Sequence, residues 1–193
     1  MGRNRESIES GDCRVLFVDE CHLLSGDIQG YVWGRRGEGV EVPLVNERER
    51  QTYYGALDLK SKQVFLEAHR QGDTQSTLEY LRFLQEQLPG KRLVILWDGA
   101  SYHRAKEIRS FLAEVNEGLD PDEWRIHCIQ FAPNDPRQNP IEDVWLRAKN
   151  WLRRMSGLKP CFKAMKAIFE DFFKLEVFDF PKMHQYGPHS EIK

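Results

Sequence analysis

The chain reads as an α/β protein: a mixed sheet with helices on its faces. Three observations lead there. Two apolar runs, Val15-Leu16-Phe17-Val18 and Leu93-Val94-Ile95-Leu96-Trp97, are too short and too continuous for amphipathic helices. Runs of that kind, bounded by charged or turn residues, suit strands buried on both faces of a sheet. Four later stretches instead carry apolar residues at helical spacing. Finally, the order of elements is strands, helix, strand, helix, strand, helix, helix. Strands alternating with helices give crossovers onto one sheet, and such crossovers are right-handed.

Taken in order, the first strand is Arg14 to Glu20, and Ser25-Gly26-Asp27 is a turn signal. Gln29 to Gly34 is rich in β-favouring aromatics and predicts a short strand. Arg35 to Gly39 is a glycine-rich turn, and Val40 to Val45, interrupted by Pro43, is a further short piece. Arg50 to Leu59 and Ser61 to Ala68 are joined by a polar Lys60-Ser61-Lys62 link, which predicts an antiparallel hairpin. Leu78, Leu81, Leu84 and Leu88 mark a helix over 74–88, capped by Asp73 or Thr74 and ended by Pro89-Gly90. The strand at Leu93 to Trp97 follows. Ile108, Phe111, Leu112 and Val115 share one face of a helix over 105–115. Pro121-Asp122 is a turn, and Trp124 to Phe131 is another strand. A proline-rich loop over 132–140 leads into a helix whose first turn suits Pro140. Its apolar stripe is Ile141, Val144, Trp145, Ala148, Trp151 and Leu152. A last helix spans Cys161 to Phe173, with Phe162, Met165, Ile168, Phe169 and Phe172 facing inwards. From Phe178 onwards there is no periodicity, so the tail is expected to be irregular, mobile or docked without regular structure.

The bulk numbers exclude several classes. The chain has 193 residues, enough for one medium domain with a sizeable core. Hydrophobic residues are 40% and charged residues 30%, which excludes a disordered chain. No apolar run approaches the roughly 18 residues of a membrane span. Residues 1–7 are polar and lack a signal-peptide core. The four cysteines, Cys13, Cys21, Cys128 and Cys161, form no CxxC pair, and free thiols in a reducing cytosol are the expected reading. A zinc site from Cys13, Cys21 and His22 has the wrong spacing for a closed site. Basic residues number 28 against 30 acidic ones, which excludes a wholly basic nucleic-acid binder but not an enzyme acting on DNA.

The chemistry sits where the apolar strands end. Each buried strand breaks on an acid, Asp19 in one and Asp98 in the other. In open α/β sheets the carboxyl ends of the strands are where sites form. Glu142, at the start of the helix after Pro140, is the third candidate. Three carboxylates brought together repel one another, and without a cation at least one has its pKa pushed up. Oxygen ligands facing a phosphate suit Mg²⁺. Each acid has a plainer reading. Asp19 and Asp98 could be strand-end turn residues, and Glu142 is favourable at a helix N-terminus in any case. Asp143 is an alternative ligand, pointing about 100° round the helix from Glu142. Glu20 should face away from Asp19 if the strand continues. His103 is a candidate to contact DNA or to tune the site, and Arg147, Lys149, Arg153 and Arg154, along the helix beyond Glu142, are candidate phosphate contacts. Their plainer readings are a structural histidine at a helix start and a solvated helix face; Arg35 and Arg36 share that ambiguity. The five tryptophans are more often core than base-stacking platforms.

The residues carry a more specific pattern. Phe17-Val18-Asp19-Glu20, then Trp97-Asp98-Gly99-Ala100-Ser101-Tyr102-His103, then Phe131-Ala132-Pro133 with Asn139-Pro140-Ile141-Glu142 and Trp145 resemble the three signature blocks of the DDE transposases. The resemblance is to the mariner superfamily, in its bacterial insertion-sequence branch, and covers Val15 to Arg154. It implies a ribonuclease H-like mixed five-stranded sheet flanked by helices. It implies Asp19, Asp98 and Glu142 as the catalytic and metal-binding triad, with two Mg²⁺ or Mn²⁺ ions as cofactor. It further implies metal-dependent strand cleavage and strand transfer at insertion-sequence ends, with double-stranded DNA, both transposon ends and target, as partner. A homodimer, no membrane and a bacterial cytoplasmic, nucleoid-associated location also follow from it. The chain departs from the family pattern at Gly99, where asparagine is usual, and at Phe131, where proline is usual. The interval of 44 positions from Asp98 to Glu142 is long. Strand one starts near residue 14, too early for the family's helix-turn-helix region. The expected organisation is a polar extension over 1–13, the catalytic domain over 14–176 and a tail over 177–193. Two alternatives are a different ribonuclease H-like nuclease and a transposase-derived DNA-binding or assembly module without activity.

Overall fold

The run from Val15 to Val18 forms the middle of a five-stranded sheet, and everything else is arranged about it. The structure is a computed structural model that describes residues 2–29, 49–132, 138–158 and 160–186. The strands expected over 29–34 and 40–45, the glycine-rich turn between them, most of the loop over 132–140 and the last residues of the tail lie outside the described residues.

Strand β1 is Cys13–Leu24, β2 Arg50–Asp58, β3 Val64–His69, β4 Arg92–Trp97 and β5 Ile126–Gln130. Their spatial order is β3-β2-β1-β4-β5. Strand β1 pairs antiparallel with β2 and parallel with β4; β2 and β3 form the expected hairpin, and β4 pairs parallel with β5. The expected mixed sheet is therefore present. The α-helices among the described residues are α1 (Gly2–Ser10), α2 (Thr74–Gln87), α3 (Lys106–Val115), α4 (Ile141–Arg154) and α5 (Phe162–Leu175), with short 3₁₀ segments between elements. Among the described residues no helix is long and apolar enough to cross a membrane.

Side chains alternate along a strand, so β1 divides its apolar residues between two cores. Val15, Phe17, Cys21 and Leu23 face α4 and α5, packing with Trp145, Ala148, Phe169 and Phe173. Leu16 and Val18 face the other way, into Leu78, Leu81, Leu84 and Ile108 of α2 and α3. Strand β4 is shared in the same manner: Leu93, Ile95 and Trp97 join the α2–α3 core, while Val94 and Leu96 pack on the α4–α5 side.

Local chemistry sets the ends of these elements. Asp73, not Thr74, caps α2 by accepting a hydrogen bond from Ser76 N at 2.8 Å. Gly90 takes a left-handed φ of 72° just past the helix end. The hairpin turn is built on Asp58, whose buried carboxylate accepts from Lys60 N, Ser61 N and Ser61 Oγ and pairs with Arg14. The polar N-terminal stretch is helical rather than merely an extension, and its Ile8 packs against the core. The tail is docked. Phe178 and Met183 are buried, Phe178 N donates to Lys62 O at 2.7 Å, and a 3₁₀ segment covers Pro181–Tyr186.

One buried side chain pins β5 to α3. Asn116 Nδ2 donates to Ile126 O at 2.8 Å, and its Oδ1 accepts from Arg125 N and Ile126 N. Asn116→Leu leaves those backbone groups without that partner. It is expected to lower unfolding stability by about 2–4 kcal/mol, read as a shifted urea midpoint at unchanged slope. A midpoint equal to the parent's would show that Asn116 is dispensable.

Candidate active site

Strand β1 does not stop at its acids, as its sequence suggests, but continues to Leu24. Asp19 and Glu20 therefore point to opposite faces of the sheet, Asp19 towards α4 and Glu20 towards α2 and the segment after β4. The pairing of Phe17 with Leu96 sets Asp98, just past the end of β4, beside the part of β1 that carries Asp19. Proline at position 140 precedes the first turn of α4, which brings Glu142 to the same edge.

Asp19 and Glu142 meet there. The two carboxyl groups lie close enough that the charge of Glu142 acts directly on Asp19. Burial first, and then the charges of Glu142, Glu20 and Asp98, hold the Asp19 carboxyl well above its ordinary range. Packing on one side of Glu142 also raises its carboxyl, with Lys182 acting in the opposite sense. Trp145 Nε1 donates to Asp19 Oδ2 at 3.2 Å. The indole reaches Asp19 across Gly55, the residue paired with Asp19 on β2. A Cβ at Gly55 would come within 2.3 Å of the Trp145 ring. Trp145, read from the sequence as core, thus also orients an acid. Asn139 Nδ2 donates to Val18 O at 3.2 Å and ties the approach to α4 onto β1.

Asp98 is held differently. Its Oδ1 accepts from Ala100 N at 3.0 Å and lies 3.1 Å from His103 Nδ1. The bond to His103 holds its carboxyl below the ordinary range, with Ala100 N acting in the same sense. Among the described residues, no three His, Cys, Asp or Glu side chains converge tightly enough to hold a metal ion as they stand. The structure brings Asp19 and Glu142 together and sets Asp98 beside that part of β1, but with its side chain turned to His103.

The remaining candidates are distributed as follows. Asp143 points to Lys182, at 2.7 Å, not to Asp19. His103 is buried, its side chain 3% exposed, and its ring is stacked on Trp97 with centroids 4.2 Å apart. That is a correction to its reading as a DNA contact, because no strand of DNA can reach the ring. The candidates Arg147, Lys149 and Arg153 of α4 do not form one strip. Arg147 pairs with Glu176 and lies over Phe178, whereas Lys149 bonds His22 O and Asp27 on another side, and Arg153 bonds Asn150. Cys13 and Cys21 are buried free thiols and His22 bonds Thr52, so the zinc reading has no support. Trp33 lies outside the described residues.

Sequence reasoning missed the partners of His103. Its Nε2 lies 3.4 Å from Glu20 Oε1, and neither atom has a hydrogen-bond partner. Burial would lower the imidazole pKa, but Asp98 and Glu20 outweigh it and raise it to about 9. The signal was available: an acid beside Asp19 on a strand that continues must be buried on the opposite face.

These acids, on β1, just past β4 and at the head of α4, lie within the stretch matched by a family model. The family model described as DDE superfamily endonuclease matches residues 14–166. The chain belongs to that family, and so to a family of enzymes. Its fold is that of the Mos1 mariner transposase catalytic domain, which it matches with a TM-score of 0.57 and 16% identity, over 97% of this chain and 83% of that one. The Mos1 strand transfer complex matches with a TM-score of 0.59 and 15% identity, over 94% of this chain and 54% of that one. The mariner Mos1 paired end complex with Mg matches with a TM-score of 0.58 and 15% identity, over 89% and 52%. The chain thus spans about half the length of the Mos1 chains in those two complexes. No curated protein matches it.

The clash at Gly55 gives a direct check on this geometry. Gly55→Ala is expected to displace the Trp145 indole and weaken its bond to Asp19. The stability cost should be about 1–3 kcal/mol, and a crystal structure of the variant should show the indole moved. An indole left in place at full stability would mean that the close approach is not a constraint.

Proposed function

We propose that this chain is a transposase catalytic domain that cleaves and transfers DNA strands at insertion-sequence ends. Residues 14–176 are the catalytic unit in this reading. The observation that carries it is the convergence of Asp19 and Glu142, with Asp98 just past the end of the next strand, in a chain of the DDE endonuclease family.

The donor set fits a divalent cation. Two carboxylates side by side, with their pKa values raised, are a repulsive arrangement that a cation relieves. Carboxylate oxygens suit Mg²⁺ or Mn²⁺, and one Mos1 complex of this fold is described as containing Mg. Asp19, Asp98 and Glu142 would hold the ions, Asp98 through the carboxylate oxygen not engaged by Ala100 and His103. Such ions would supply Lewis-acid stabilisation to an in-line phosphodiester displacement.

The chain's own residues do the rest. Asp19 is fixed by the β1 backbone and by the Trp145 indole, so little side-chain freedom remains to be lost on binding. Glu142 reaches in from the head of α4 on a longer side chain. Lys149 and Arg153, one turn apart on α4, and Arg147 elsewhere on it, would exchange their internal partners for DNA phosphates. Water is the first nucleophile and the freed 3′-hydroxyl the second, and no covalent enzyme intermediate forms. A second copy of the chain is the expected partner for pairing two DNA ends.

A second reading, a DNA-binding or assembly module without chemistry, draws on the rotamer of Asp98, which is engaged with His103. Incubating supercoiled DNA bearing the element's ends with the chain and Mn²⁺ separates the two. The parent should nick or transfer strands, and Asp98→Ala should lose about 10³-fold or more of that activity, of the order of one electrostatic stabiliser, while keeping its thermal transition. A fully active Asp98→Ala variant would sink the triad. A folded parent that neither binds Mn²⁺ nor cuts would favour the module.

A further inference from the structure

We propose that His103, backed by Glu20, is a positioning residue for Asp98. It anchors Oδ1 from inside the protein so that Oδ2 is the oxygen presented to a divalent cation. This rests on the reading of Asp98 as a metal ligand and adds two residues that the triad does not contain.

Four observations point the same way. First, Oδ1 of Asp98 is occupied twice, by Ala100 N at 3.0 Å and by His103 Nδ1 at 3.1 Å. Both bonds fall on the same oxygen, while the side chain as a whole is 56% exposed. One oxygen is therefore tied to the protein and the other is left for whatever arrives from solvent.

Second, the imidazole is itself fixed. It stacks on Trp97 at an interplanar angle of 4°, and Nδ1 also lies 3.2 Å from the backbone oxygen of Asp98. Asp98 offers only acceptors on that side, so Nδ1 carries the proton that faces it.

Third, the far side of the ring meets an acid. Nε2 of His103 and Oε1 of Glu20 are both buried, 3.4 Å apart, and without a hydrogen-bond partner. A buried, unsatisfied pair of this kind is costly and needs a reason. Glu20 lies among the hydroxyls of Tyr54 and Tyr102, on the opposite face of β1 from Asp19. A small shift of the Glu20 side chain, with the imidazole held in its stack, would close the gap. The orphaned pair is then an unfinished bond rather than a defect.

Fourth, the arrangement joins the two faces of the sheet. Asp19 reaches the site from one side of β1, and Glu20 supports it from the other through His103. Hydrogen-bonded partners behind a ligand fix its orientation, and their loss typically weakens metal affinity by about 10–100-fold.

The test compares two amides at position 103 in the full chain. His103→Asn keeps a donor near the place of Nδ1, whereas His103→Gln moves it towards the place of Nε2. Both lose the ring stack alike, so a purely structural role affects them alike. Mn²⁺ is titrated with free ion read by electron paramagnetic resonance, and the thermal transition of the metal-free protein is recorded for each. We expect His103→Asn to stay near the parent and His103→Gln to bind about 10–100-fold more weakly. Equal affinities in the two variants, whether at the parent's level or equally reduced, would overturn the proposal. Should neither amide fold, Glu20→Gln decides: a folded variant with weakened Mn²⁺ binding supports the anchor, and one with the parent's affinity removes it. Asp98→Asn runs alongside. If it binds Mn²⁺ as the parent does, the ligand role of Asp98 falls, independently of what position 103 shows.

Discussion

The structure depends on one constraint, the alternation of side chains along a single strand buried on both faces. Strand β1 must supply apolar residues to two cores at once, and does so with Val15 and Phe17 on one side and Leu16 and Val18 on the other. Carried two residues further, the same alternation separates Asp19 from Glu20. One acid joins Glu142 at the edge of the α4 face, and its neighbour becomes buried beside His103. The site and its support are thus set by the geometry that builds the core.

Around that strand, tolerance is small on the α4 side. Gly55 lies opposite Asp19 because nothing larger leaves room for Trp145. The indole in turn belongs to the aromatic packing that holds α4 to α5, its ring 5.7 Å from Phe173. Loss of packing there would reach Asp19 through Trp145 Nε1. The tail adds to the same face, since Lys182 pairs with Asp143 and leaves Glu142 as the acid of α4 beside Asp19. On the other side of β1, Asp98 is governed by polar contacts within the few residues that follow β4.

Much of this was legible in the chain. The apolar runs at Val15 and Leu93 are strands, the hairpin closes over Lys60 to Lys62, and Asp73 and Pro140 mark helix starts. Local propensity and short-range hydrogen bonds govern such features, and both are written in neighbouring residues. The acids at 98 and 142 were legible as candidates for the same reason, one following a strand and one opening a helix, whereas Asp19, expected to end β1, lies within it. The destination of Arg147, Lys149 and Arg153 was not. Their partners, Glu176, Asp27 and Asn150, were not singled out by spacing. For His103 the sequence left DNA contact, tuning of the site and a structural role open, because a lone histidine near a strand end carries no sign of the ring that will stack on it.

What the sequence by itself determined was most of the strands and helices, the two-sided burial of β1 and β4, and the candidacy of three acids, Asp19, Asp98 and Glu142. These follow from period, composition and capping, which act over a few residues. Only the tertiary structure decided that Asp19 meets Glu142, that Trp145 reaches Asp19 across Gly55, and that Asp98 is held by His103 with Glu20 behind it. Those relations join residues up to 126 positions apart, as in the bond from Trp145 to Asp19. They are fixed by strand order and register, which no local preference encodes.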